Sequence, residues 1–118
     1  MPPVQLTGQS FEETVLRDGI TLVDFWASWC GPCRNFAPIF EQAAQNHPDI
    51  TFGKVDTEAE QELAATAHIT AIPTLMAFRD GVLVYREAGA LRAKALDKLI
   101  RSIRDLDMTT IKAKVETA

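Results

Sequence analysis

The sequence predicts an α/β domain with a central mixed β-sheet flanked by helices on both faces. Three observations predict it. Runs with helical spacing alternate with short β-rich runs over residues 11–67, an order that implies parallel crossover connections. Two β-rich runs then meet at Asp80-Gly81, a hairpin signal that adds antiparallel strands. A final amphipathic helix follows, and 118 residues leave room for one ordinary domain.

The first helix is expected near residue 11, because Ser10 and Glu13 have capping-box spacing ahead of Thr14, Val15 and Leu16. Asp18-Gly19 ends it. Ile20 to Ala27 is an apolar run broken by Thr21 and Asp24, and it reads as a buried central strand. A second helix runs to about Asn46. Phe36, Ile39, Phe40, Ala43 and Ala44 form its apolar face, Pro32 suits its first turn, and Pro38 lies inside it. His47-Pro48 stops it. Ile50 to Val55 reads as the next strand. Thr57 and Glu60 predict a second capping box, for a helix through Ala67. Thr74–Arg79 and Val82–Glu87 are the hairpin strands, and Leu96, Leu99, Ile100 and Ile103 mark the last helix. Periodicity weakens after Leu106. Residues 1–107 are expected to be the folded domain, and 108–118 a loosely held C-terminal tail.

The chain is 47% hydrophobic and 24% charged, which places it among globular proteins rather than disordered ones. A formal net charge of -4 argues against general affinity for nucleic acid or anionic membranes. The charge is uneven. Residues 1–90 hold 5 Lys/Arg against 12 Asp/Glu, whereas residues 91–118 hold 7 against 4. The simplest account of that basic segment is the solvated face of a helix. The opening residues lack the basic-then-apolar order of a secretory leader, and no apolar run reaches membrane-spanning length. A cytoplasmic, reducing setting and a monomer are the expectations.

Cys30 and Cys33 are the two cysteines, too few for a disulfide framework. They fall at a strand-to-helix junction. There the free N–H groups of the first turn and the helix dipole favour a thiolate at Cys30, and thiolate is the attacking species. Gly31 and Pro32 shape the turn. Cys33, one turn in, is placed to attack a mixed disulfide formed at Cys30. The competing readings are a zinc site, a pair of inert thiols and a static disulfide. Zinc fits poorly, because His47 and His68 have 20 residues between them where a finger needs about three to five. A static bridge closing so small a loop removes little unfolded-state entropy.

Asp24 in the central strand is costly to bury charged, so its pKa should rise there, making it a candidate proton acceptor for Cys33. The alternative is an aspartate facing water at a strand end. Lys54 is positioned to pair with it or to serve as an ordinary strand lysine. Trp29, beside the cysteines, fits an exposed aromatic docking surface, whereas Trp26 fits the core. His47 and His68 are expected to be solvated.

Three motifs in order resemble the thioredoxin family over about Leu6 to Leu106. They are Val23-Asp24-Phe25-Trp26-Ala27-Ser28-Trp29-Cys30-Gly31-Pro32-Cys33, then Ile72-Pro73-Thr74-Leu75, then Asp80-Gly81 with Gly89-Ala90. The resemblance, to the bacterial type, implies the thioredoxin fold and a general protein-disulfide reductase that needs no cofactor. It implies Cys30 as nucleophile, Cys33 as resolving thiol, Asp24 as the buried carboxylate that helps deprotonate Cys33, and Lys54 as its partner. Pro73 matches a cis-proline whose neighbouring backbone pairs with a substrate strand. Trp29, Ile72, Gly89 and Ala90 match an apolar docking groove beside Gly31 and Pro32. The implied partners are protein disulfides and a thioredoxin reductase, NADPH-dependent or ferredoxin-linked. Arg34 and Asn35 depart from the usual lysine and apolar residue, which bears on partner preference. The rival functions are a thiol oxidase or isomerase of the same fold, and a non-enzymatic docking subunit.

Overall fold

The computed structural model describes residues 2–117. Five strands form one sheet: β1 (Val4–Gln5), β2 (Ile20–Trp26), β3 (Thr51–Asp56), β4 (Thr74–Arg79) and β5 (Val82–Ala88). Their spatial order is β1-β3-β2-β4-β5. The β1–β3 and β3–β2 pairings are parallel, and β4 runs antiparallel to both β2 and β5. The expected mixed sheet is therefore present, with β2 at its centre.

Among the described residues there are also five helices: α1 (Phe11–Val15), α2 (Gly31–Asn46), α3 (Gln61–Thr66), α4 (Ala93–Arg104) and α5 (Met108–Thr117). The alternation of β2 assigns them to faces. Ile20 and Leu22 pack with Phe36, Phe40 and Ala43 of α2 and with Leu96, Ile100 and Ile103 of α4. Val23 and Phe25 point the other way, to Phe11 and Val15 of α1 and Leu63 of α3. Burying each large apolar side chain such as Phe36 or Phe40 contributes roughly 1.5–3 kcal/mol, so these two layers fix the sheet between the helices.

Strand β1 was not foreseen. Two residues, both exposed, are too few to show an alternating pattern. Its place depends on Gly53, because a Cβ there would run into the side chain of the buried Leu6. Leu6 N–H donates to the Lys54 carbonyl at 2.8 Å, extending the pairing by one residue.

Neither predicted capping box forms as expected. Ser10 precedes α1 but makes no side-chain cap to it. Instead Ser10 Oγ accepts from Thr7 N–H at 2.9 Å and Thr7 Oγ1 accepts from Ser10 N–H at 3.2 Å. The reciprocal box is thus one turn earlier, with Thr7 as the cap. Before α3, Asp56 Oδ1 takes the N–H groups of Glu58 and Ala59, while Thr57 Oγ1 donates to the Trp26 carbonyl. Glu60 Oε1 accepts from Gly8 N–H at 2.8 Å.

The Asp80-Gly81 turn has positive φ at both residues, 53° and 82°, as a two-residue hairpin of matching twist requires. Past it, the β4–β5 register shifts between Ala77 and Phe78. The segment expected as a loose tail carries α5. Asp107 Oδ1 caps that helix by accepting from Thr109 and Thr110 N–H, Met108 is buried, and Lys112 Nζ lies 3.7 Å from Asp80 Oδ2. The apolar periodicity of α5 is weak because few of its side chains are covered. Arg79 joins this end to the sheet: its Nη1 donates to the carbonyls of Ile103, Arg104 and Leu106 at 2.7, 3.0 and 3.0 Å. Among the described residues no helix is long and apolar enough to cross a membrane.

Candidate active site at the Cys30–Cys33 pair

Strand β2 ends at Trp26, and the chain turns through residues 27–29 into α2. Cys30 is the N-cap of that helix, in extended backbone conformation, and its sulfur accepts the Cys33 N–H at 3.2 Å. A sulfur in this place meets the unpaired donors and the positive end of a helix of 16 residues. Gly31 and Pro32 occupy the first two helical positions, where the missing N–H of proline leaves no carbonyl unpaired. The two sulfurs are joined in a disulfide, with their Cα atoms 5.2 Å apart. Both are nearly covered, at 4% and 3% exposure.

Ile72 and Pro73 close over the pair. Their peptide bond is cis, and the Ile72 carbonyl oxygen lies 3.7 Å from Cys30 Sγ. Pro73 is buried, and its carbonyl accepts the Gly89 N–H at 2.7 Å. Gly89 has φ of 109°, a conformation that L side chains rarely adopt. That bond brings exposed Gly89 and Ala90 beside Pro73. Half-buried Ile72 packs with Trp26 on the cysteine cluster, Pro32 is exposed, and Gly31 is half-buried. Trp29 is 65% exposed, and its Nε1–H donates to Glu58 Oε1 at 2.7 Å. Ile72 thus packs on the cysteine cluster, Gly31 and Pro32 lie between the cysteines, Gly89 adjoins Pro73, and Asp24 and Lys54 lie within the sheet.

Asp24 is fully buried, and neither carboxylate oxygen has a hydrogen-bond partner among the described residues. Desolvation pushes its pKa from 3.8 to about 7, against the opposing pull of the Lys54 charge. By strand alternation it faces the α2 side, between Leu22 and Trp26. Lys54 is its register partner on β3 but forms no ion pair with it; the Lys54 Nζ lies 4.8 Å from the centre of the Trp26 ring.

Two members of this neighbourhood escaped the sequence. Glu58, which holds Trp29, sits in a loop with no motif to mark it. Trp26, read as a core residue, packs on the cysteines and offers its ring to Lys54. His47 caps α2 and is half-buried rather than fully solvated, whereas His68 is exposed. A groove of about 600 Å³ between α1, α3 and the sheet contains none of the cysteine-site residues.

The family model described as Thioredoxin matches residues 2–102. The chain belongs to the thioredoxin family. It is 48% identical to "Putative thioredoxin 2" of Streptomyces coelicolor over 95% of this chain and 84% of that protein. It is 39% identical to the thioredoxin of Mycobacterium tuberculosis over 87% of this chain and 88% of that one. Among solved structures, a mutant thioredoxin from Halobacterium salinarum superposes with a TM-score of 0.80 at 34% identity, covering 89% of this chain and 93% of that chain. The sheet order described above is thus a thioredoxin fold. Family and site together make this chain a thioredoxin-type dithiol–disulfide reductase of protein disulfides, working through a cysteine pair at bonding distance.

Proposed function

We propose that Cys30 is the attacking thiolate and Cys33 the resolving thiol, with Asp24 as proton acceptor for Cys33. The observation that carries this is the Cys30 sulfur at the N-terminus of α2, accepting the Cys33 N–H. Helix N–H groups and dipole stabilise negative charge on Cys30 and not on Cys33, one turn further in.

The reaction starts from the reduced pair. Cys30 thiolate attacks one sulfur of a substrate disulfide. A Cys30–substrate bond forms, the substrate S–S bond breaks, and the first substrate thiolate leaves. Asp24 takes the proton of Cys33, whose thiolate attacks Cys30 Sγ and expels the second substrate thiolate. Protons from Asp24 and solvent complete the two substrate thiols. Two electrons have moved to the substrate, and Cys30–Cys33 is left oxidised, the state described above. A titration point near neutrality suits Asp24 to both taking and returning a proton.

Trp29, Gly31, Pro32, Ile72, Pro73, Gly89 and Ala90 form the docking surface in this reading. The backbone beside Pro73 pairs with an extended substrate segment, which gives affinity with little sequence preference. Lys54 modulates Asp24 through its charge. A thioredoxin reductase drawing electrons from NADPH restores the dithiol, and the cytoplasm is the setting. The test is Cys33→Ser with a disulfide-bonded protein substrate. A stable covalent adduct at Cys30 supports the assignment of roles. An adduct that resolves as fast as in the native protein overturns it.

A further inference from the structure

Helix α4 carries Lys94, Lys98 and Arg101 at i, i+4 and i+7, one exposed row about 10 Å long. None of the three forms an ion pair among the described residues. They border an open cleft of about 680 Å³ whose far wall is Asn46 and His47 at the end of α2. The one carboxylate in the cleft, Asp97, has an oxygen 3.7 Å from His47 Nε2. The next cation along, Arg104, is held in a bidentate pair with Asp49 at 2.7 and 3.0 Å. Arg104 is thus neutralised, while the row itself is open to solvent. It also stands in the basic segment of a chain whose first 90 residues hold 12 acids against 5 bases.

We propose that this cleft is an exosite for an acidic segment of the disulfide-bearing protein, an inference that rests on the reductase reading and names its class of substrate. Charge complementarity identifies the occupant. Three cations about 5–6 Å apart match carboxylates one helical turn apart, or on alternate residues of an extended segment. The Asp97 carboxylate among them disfavours the dense charge of a phosphate polymer. Lysine, a flexible point charge, suits carboxylates of varied geometry. Distance then sets the substrate's architecture. α2 has 16 residues, so the cleft lies about 24 Å from Cys30. An extended chain needs about seven or eight residues to span that gap. The acidic run therefore lies at least that far from the cysteine being reduced.

The test uses two disulfide peptides: one with six glutamates placed ten neutral residues from its cysteine, and one with glutamines in their place. At about 50 mM salt, where surface charges are weakly screened, the native protein should reduce the acidic peptide with about tenfold higher kcat/KM, the scale of three exposed ion pairs. In K94Q/K98Q/R101Q the acidic-to-neutral ratio should fall to about 1. Fluorescence anisotropy of the acidic peptide with the oxidised protein should show the same loss without any turnover. A ratio of 1 in the native protein, or one preserved in the triple variant, overturns the exosite. Tighter binding of a single-stranded oligonucleotide of equal charge than of the acidic peptide overturns its assignment to protein. Failure to reduce the neutral peptide overturns the reductase reading instead, and the anisotropy still decides the exosite.

Discussion

Asp24 and Lys54 stand opposite each other on neighbouring strands, yet the ammonium rests over the Trp26 ring and leaves the carboxylate unpaired. Lys54 thus acts on Asp24 through space, and burial wins over it. A direct buried ion pair would hold the carboxyl below its ordinary value; here it titrates near 7.

That shift makes stability fall as pH rises. Between 3.8 and about 7 the folded state binds the Asp24 proton and the unfolded state has lost it, so alkalisation favours unfolding. The ceiling is on the order of 4 kcal/mol. Asp24→Asn should therefore be more stable than the native oxidised protein above pH 7, with the difference shrinking towards pH 4. Urea denaturation at pH 4, 6 and 8 checks this. A difference independent of pH would mean that Asp24 is not the titrating group.

The same carboxyl should govern resolution of the mixed disulfide. In the native protein, release of the second substrate thiol should accelerate as pH rises through about 7. Asp24→Asn should slow release at least about tenfold, the lower range for general base catalysis being higher still, and flatten the profile. Lys54→Met removes the one charge that lowers the Asp24 pKa, so it should move the midpoint of the profile upward. Rapid-quench measurement of adduct decay reads all three.

Arg79→Met should loosen the end of the molecule far from the cysteines. It removes one charged donor from three carbonyls that close α4 and lead into α5. The expected loss is about 2 kcal/mol in global stability. Proteolytic cleavage should appear near residues 104–108 before it appears elsewhere, as limited digestion with mass spectrometry will show.

Gly53→Ala should cost about 1–3 kcal/mol, because the new methyl meets the Leu6 side chain in a packed layer. Combining it with Leu6→Ala should cost less than the two losses added, since the collision disappears. A double-mutant cycle by thermal or urea unfolding measures that coupling.

The central sheet, α2, the hairpin and α4 were legible because each combines a clear hydrophobic period with a turn or cap residue at its end. The cysteine pair and Pro73 were legible as local motifs. What failed to show was long-range or unpatterned. β1 pairs with a strand some 50 residues away, where Gly53 leaves space for Leu6. The Thr7–Ser10 box was masked by a competing Ser10–Glu13 match with the same spacing. Helix α5 is held by Asp107, Met108 and the Arg79 junction rather than by an apolar stripe of its own. Lys54 was expected on the strand beside Asp24 as a candidate ion-pair partner; it lies in register with Asp24, and pattern alone does not say that an aromatic ring would take the ammonium.

The shift in register between Ala77 and Phe78 has a consequence for the crowded conditions in which proteins accumulate. A sheet ends in strands whose outer backbone groups invite a second molecule to add on and polymerise. On one flank β1 offers two residues. On the other, the irregular β4–β5 pairing breaks the regular ladder, and Arg86, bound to the Ala67 and His68 carbonyls at 2.6 Å each, adds a charged side chain to that edge strand. Both flanks are thereby poor templates for cross-chain assembly, which protects the molecule from being extended by copies of itself.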